Sequence, residues 1–299
     1  MQNPSIRDQW FAVKIFHPKR HILCYNHTSM KKTAGKYRYS LILLRELVKT
    51  DFKLRYQGSV LGMLWSVLKP VMLFAVMYIV FVRFLRFGAG IPHFAVSLLL
   101  ALTLWSFFAE SASQGMRAIV DRGSLLRKIN FPKYIVVVSA TVSALINLSI
   151  NLVVVLIFAI INGVDFSWYI LLAPMVILQL YIFSLAVAFL LATLYVKWRD
   201  IGHIWEVILQ TGFYATPIIY PLTLVAAQSV LASKILLLNP MAQMIQDLRY
   251  LLIYDGTETV WNYIGNFWVA LIPILFTIML AILAGLYFYK SSRRFTEEI

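Results

Sequence analysis

The sequence predicts an all-α polytopic membrane protein, with six transmembrane helices, an N-terminal amphipathic interface helix and re-entrant outer half-helices. Three observations carry this. Of 299 residues, 61% are hydrophobic and 13% charged, whereas a soluble domain carries about 25% charged residues. The apolar residues fall in long unbroken runs, which suit helices and not the short alternating strands of a barrel. The basic residues lie almost entirely on one side of those runs. With a mean hydropathy of +0.76, these observations exclude fibrous, disordered and disulfide-rich secreted chains. The single Cys24 has no internal disulfide partner, and no Cys/His grouping has zinc-ligand spacing.

Residues 1–39 read as a basic cytoplasmic extension. The first 25 residues hold no apolar core followed by a small-residue cleavage site, so no secretory signal is expected. Residues 40–57 read as the interface helix. Leu41, Leu44, Val48 and Phe52 share one helical stripe and Arg45, Lys49 and Lys53 another, the pattern of a helix lying on a membrane surface.

Residues 58–290 form the six-span domain. Its apolar runs are Val60–Val82, Phe94–Met116, Tyr134–Ile161, Tyr169–Val196, Ile204–Tyr220 and Phe267–Tyr289. Lys69-Pro70 interrupts the first, so Lys69 must snorkel or face protein. Residues 291–299 are a short cytoplasmic tail.

With the N-terminus inside, the cytoplasmic segments hold 22 Lys and Arg residues and the outer segments 4, namely Arg83, Arg86, Lys234 and Arg249. Both termini are therefore expected in the cytoplasm. The net charge of +14 is mostly topology, with anionic lipid headgroups and not nucleic acid as its counter-surface. Trp65, Trp198 and Trp205 fall at inner ends of spans and Trp168, Trp261 and Trp268 at outer ends, as an interfacial belt requires. Trp105, beside Phe107 and Phe108, is the exception.

Two connections carry unusual patterns. The cytoplasmic loop 117–133 has room for a short helix and places Leu125, Leu126, Ile129 and Phe131 among basic residues. Apolar side chains there await either a protein partner or the chain's own helices. Residues 222–254 on the outer side contain two apolar pieces too short to span, split by Asn239-Pro240 and preceded by Pro217 and Pro221. They read as half-helices.

Catalytic chemistry is not legible. There is no phosphate-binding glycine loop, so ATP is not expected on this chain, and no metalloprotease, hydrolase-elbow or dinucleotide motif occurs. Glu110 and Glu206 are the only carboxylates inside the expected spans, and the five histidines are scattered.

Four segments resemble one family. LRELVKTDFKLRYQGSVLGMLWSVLKP (44–70) is similar to an interface helix running through an L-G-x-x-W turn into the first span. RGSLLRKINFPK (122–133) resembles a coupling loop, and VKWRDIGHIW (196–205) the Tyr/Trp-Arg-Asp turn between the fourth and fifth spans. TPIIYP (216–221) and LNPM (238–241) resemble the flanks of outer gate helices. The family is the permease subunit of type-2 ABC polysaccharide exporters, which move O-antigen, teichoic acid or capsule chains. The sequence departs from it at Lys69, where the family often has Asn, and in its first 35–40 residues.

The resemblance implies two copies of this chain with two copies of a separate cytoplasmic ATPase that holds ATP and Mg. It implies a lipid-linked polysaccharide as substrate and the bacterial inner membrane, with its lipids, as the setting. Coupling would fall on Arg122, Ser124, Leu125, Leu126, Arg127, Lys128, Phe131 and Pro132, backed by Glu46 and Lys49. Leu125, Leu126 and Phe131 would be the apolar knob and the cations would meet the ATPase. Channel lining would fall on Trp65, Tyr78, Phe213, Tyr214 and Tyr220, and the outer gate on Pro217, Pro221, Asn239, Pro240 and Met241. Arg86 and Arg249 would face a lipid diphosphate or anionic glycan at the outer mouth. A membrane-embedded transferase acting on a lipid-linked sugar would instead need a carboxylate or histidine cluster at the membrane face, for which Glu110 and Asp200 are isolated candidates. An ABC permease for a drug or small lipid would share the architecture.

Overall fold

The computed structural model describes residues 40–51, 53, 62, 64–128 and 131–295. The expected extension 1–39, Phe52, the 54–61 approach to the first span and Ile129 lie outside the described residues. Every regular element among the described residues is helical, as the composition predicts.

The interface helix, α1, is helical over 40–51. Next comes α2, α-helical over Leu64–Met77 and continued as a π-helix over Tyr78–Phe84. Pro70 lies inside α2, where it withholds one backbone donor from the ladder. Helix α3 (Phe94–Asp121) leads through Arg122 into the short α4 (Gly123–Lys128), and α5 (Tyr134–Ile161) returns. A 3-10 turn, Trp168–Leu172, opens α6 (Ala173–Lys197), with Pro174 where no helical donor is needed. After α7 (Ile201–Ala215) come α8 (Leu222–Gln228), α9 (Val230–Leu237), α10 (Pro240–Leu252), α11 (Val260–Tyr263), α12 (Phe267–Ala270) and α13 (Ile272–Ser291).

Among the described residues five helices are long and apolar enough to cross a membrane: Leu64–Phe84, Phe94–Asp121, Tyr134–Ile161, Trp168–Lys197 and Phe267–Ser291. The expected crossing at Ile204–Tyr220 differs. Its helix, α7, has 15 residues, or about 22 Å against a hydrocarbon core of about 30 Å. Thr216 turns extended at φ −106°, ψ 141°, because the residue before a proline is pushed out of the helical region. The first expected outer piece is also divided. Ser229 is extended and its side chain accepts from the Ala232 N–H, so it ends α8 and caps α9. Asn239 caps α10 in the same way, through the Met241 N–H, with Pro240 in the first turn.

Helix α3 is the axis of the bundle and packs against α2, α5, α6, α7 and α10. Leu98, Leu100, Leu102 and Leu104 are all buried, so the first half of α3 is covered around its whole circumference. Close approach to α6 depends on small residues. A Cβ on Gly115 would stand 2.5 Å from the Ala188 Cβ, well inside contact distance. The buried hydroxyls of Thr103 and Ser184 are satisfied within their own helices, by the Leu99 carbonyl at 2.9 Å and the Leu180 carbonyl at 2.8 Å. Hydrocarbon offers no other partner.

Candidate functional site

The end of the bundle expected in the cytoplasm is tied together by Arg122, the residue that ends α3. One guanidinium nitrogen donates to Ser139 Oγ at 2.7 Å and to the Val136 carbonyl at 3.3 Å, both on α5. The other donates to the Asp51 carboxylate on α1. Arg122 thus joins the interface helix, the loop and the third span. Lys133 Nζ donates to the Ser292 carbonyl at 2.5 Å and lies over the Phe295 ring.

The apolar residues of the loop belong to this same assembly. Leu126 and Phe131 are buried with Val136, Val137, Ala188, Ala192, Val196, Phe288 and Phe295, and Leu125 and Leu43 pack against the group. Of the expected knob, two residues are thus buried against the chain's own helices and Leu125 is partly buried beside them. Leu126 and Phe131 hold the loop to its own helices, because burial there removes their apolar area from water at no cost in partner binding. Arg122, expected to meet a partner, spends three of its guanidinium contacts inside the chain, on Asp51, Ser139 and Val136. Pro132 is half-buried. What α4 presents outward is Ser124, Arg127 and Lys128, with Glu46 and Lys49 exposed on α1. Asp51, Ser139 and Phe295 were not singled out in the sequence, and no local pattern distinguishes them from other surface or core residues.

A polar cleft of about 890 Å³ lies between α2, α3 and α5. From α2 come Trp65, Ser66 and Lys69; from α3, Ser106, Glu110 and Gln114; from α5, Asn147 and Asn151. Glu110 Oε1 accepts from Gln114 Nε2 at 3.0 Å and from Asn147 Nδ2 at 2.8 Å. These amides fix the carboxylate in a region where hydrocarbon would not solvate it. Lys69 is exposed and lines the cleft, so it faces protein polar groups. An indole face, amides, hydroxyls, one cation and one anion together suit a ligand rich in hydroxyls.

The other aromatics expected along a channel separate. Trp65 lines the cleft and Tyr214 is exposed on α7. Phe213 packs edge-on against Trp105 at 6.0 Å, which explains the deep position of that tryptophan. Tyr78 stacks obliquely on Phe74 with Arg83 over its ring. The Tyr220 hydroxyl donates to the Tyr214 carbonyl at 3.1 Å. Trp205, expected in the inner belt, is buried and its indole N–H donates to Ser113 Oγ at 3.1 Å. Between the end of α3 and the start of α7, Arg117 pairs with Glu206 at 3.4 Å, both well exposed.

At the opposite end of the bundle, expected to face outward, Arg249 is buried. Nε donates to the Ser97 carbonyl at 3.3 Å, Nη1 to the Pro217 carbonyl at 2.9 Å and Gln246 Oε1 at 2.8 Å, and Nη2 to the Ile218 carbonyl at 2.9 Å. The expected role of Arg249 toward an outer anion is therefore corrected. The side chain clamps α10 to the start of α3 and to the turn after α7. Pro217, Pro221, Pro240 and Met241 are buried around it, and Asn239 Nδ2 reaches Thr216 Oγ1 at 3.4 Å. Arg86 is exposed, with a backbone φ of 54°. On the loop after α10, burial pushes the Glu258 carboxyl up from its ordinary range.

The stretch of sequence that carries these parts is similar to known proteins. Residues 42–253, which run from α1 through α10, match the family of ABC-2 type transporters. The chain belongs to that family. Among curated relatives, an O-antigen export system permease of Myxococcus xanthus is 35% identical over 208 residues, covering 70% of this chain and 78% of the relative. Two O-antigen export system permeases of Klebsiella pneumoniae are 28% and 26% identical, each covering 87% of this chain and 95% of the relative. The ABC-2 match takes in the Arg122 junction, the polar cleft and the Arg249 clamp. The last span, α13, lies beyond it.

Proposed function

We propose that this chain is the membrane-spanning permease of an ATP-driven exporter that moves a lipid-linked polysaccharide out of the cytoplasm. It works as a homodimer with a separate ATPase subunit that carries ATP and Mg. The observation that supports this most directly is the relationship to O-antigen export permeases over most of the chain. The basic bias of the inner segments supports an inner-membrane setting with both termini cytoplasmic. In that setting α7, extended by residues 216–221, completes the sixth crossing.

On this reading the ATPase seats against Ser124, Arg127 and Lys128. Its closure pushes α4, and Arg122 passes the displacement to α1 through Asp51 and to α5 through Ser139. A lever needs such a rigid junction, because a loose loop would dissipate the motion. The cleft beside Trp65 and Glu110 offers sugars many weak contacts, which suit a chain that must keep moving.

The test is a tagged pull-down from gently solubilised native membranes, with ATPase assay of what co-purifies. A stoichiometric ATPase, reduced about tenfold or more by the double variant Arg127→Glu/Lys128→Glu with the fold intact, is expected if several charge-assisted contacts are reversed. A chain that purifies alone across several detergents, with no nucleotide-hydrolysing partner, would overturn the proposal.

A further inference from the structure

A second cavity, of about 830 Å³, lies between α6, α10 and α13, away from the polar cleft. Its walls are apolar and come from two spans, through Met175, Leu178 and Ile182 on α6 and Ile274 and Ile278 on α13. Met175 is 69% exposed, Leu178 58% and Ile278 49%, so these walls open where a span meets lipid. The floor is polar. Gln179 Nε2 donates to Gln243 Oε1 at 2.7 Å, Gln243 Nε2 donates to Asp247 Oδ2, and the Trp261 indole N–H donates to the same oxygen at 3.3 Å.

The row of donors ends one oxygen short. Asp247 is 6% exposed, and its Oδ1 has no hydrogen-bond partner among the described residues. No Lys, Arg or His lines the cavity. The one basic residue of α10, Arg249, is committed to Ser97, Pro217, Ile218 and Gln246. A buried carboxylate with an open lone pair and no cation is costly unless something supplies both charge and a donor.

We infer that this crevice binds a phospholipid with a primary ammonium headgroup, phosphatidylethanolamine, whose N–H donors meet the Asp247 carboxylate while its chains lie along α6 and α13. The chemistry selects that headgroup. A quaternary choline ammonium has charge but no N–H, and a glycerol headgroup has donors but brings a net negative charge toward Asp247. The volume fits a headgroup and the upper part of its chains, within the range of about 300–1,000 Å³ usual for ligand sites. On the orientation proposed above, the site faces the outer leaflet.

The full-length protein is purified and reconstituted in nanodiscs of phosphatidylcholine alone, or with one fifth, about 20%, phosphatidylethanolamine or phosphatidylglycerol, a doping high enough to fill a weak site. Retained lipid is read by native mass spectrometry and the unfolding midpoint by intrinsic fluorescence. Phosphatidylethanolamine should be retained preferentially and raise the midpoint. Asp247→Asn should lower that retention about tenfold, with the midpoint in phosphatidylcholine unchanged. Leu178→Trp, on an exposed wall, should block retention of every lipid at this site, and it serves alone if Asp247→Asn fails to fold. Equal retention of all three lipids, preference for phosphatidylglycerol, or an ethanolamine preference unchanged in the variants would overturn the inference. Loss of ATPase association would leave it standing, since that result bears on the export reading.

Discussion

Helices α2 and α3 are both apolar enough to cross a membrane, yet they sit at opposite extremes of burial. In α3, 78% of the most apolar stretch is buried inside the chain, and in α2 none is. Their hydropathies, 2.0 and 1.6, run against that order. The difference lies in texture. Helix α3 carries Ala101, Ala109, Ala112 and Gly115 between its large residues, so neighbours approach it on several sides. Helix α2 carries large side chains all round, and exposes Met72, Leu73, Val76, Ile79 and Phe84. A peripheral helix that also carries Trp65 and Lys69 into a polar cleft is held loosely by its own chain, which suits an element that moves.

The contrast is broken most severely at the α3–α6 contact. Gly115→Leu should destabilise the protein by about 3 kcal/mol or more, through overpacking against Ala188, measured as loss of the monodisperse peak in fluorescence-detected chromatography. Arg249→Met should cost roughly 3 kcal/mol, because the Ser97, Pro217 and Ile218 carbonyls lose charge-assisted donors in a buried place. A midpoint unchanged by that substitution would mean that the clamp does not hold α10. Arg249→Lys should recover only part of the loss, since an ammonium lacks the planar fork.

A smaller effect is expected at the junction. Arg122→Ala should cost about 1–2 kcal/mol and increase amide exchange across residues 40–51 more than in α6. Equal exchange in the two segments would break the link between α1 and the spans. The smallest effect sharpens the comparison itself. Val76→Ala or Ile79→Ala on α2 should change the stability of the isolated chain by less than about 0.5 kcal/mol. A loss beyond about 2 kcal/mol, the size of a core deletion, would show that α2 is packed after all.

Much of this organisation is legible before folding. Runs of apolar residues mark five of the expected spans to within a few residues at most ends, since a missing charge over about 20 residues has few other uses. Asn239-Pro240 marks the start of α10 because both residues suit a helix N-terminus. The break at Ser229 was missed, as a single serine in an apolar run has no distinctive signature until its backbone turns extended. The loop residues show the same limit from another side. Leu126 and Phe131 read as exposed knobs because a sequence shows that they are apolar and in a basic loop, but not which helices stand beside them.

By itself, then, the sequence determined the solvent, the helical class, the sidedness of the charges and the family, all of which depend on local composition and order along the chain. The tertiary structure alone decided which apolar helix is core and which is rim, that Arg249 is a clamp, that Arg122 is a junction, and that Asp247 has an unpartnered oxygen beside an apolar crevice. Those are statements about partners distant in sequence, such as Ser97 for Arg249 or Asp51 for Arg122. A charged side chain has the same formula whether it meets water, carbonyls or nothing, and only the packing around it fixes which.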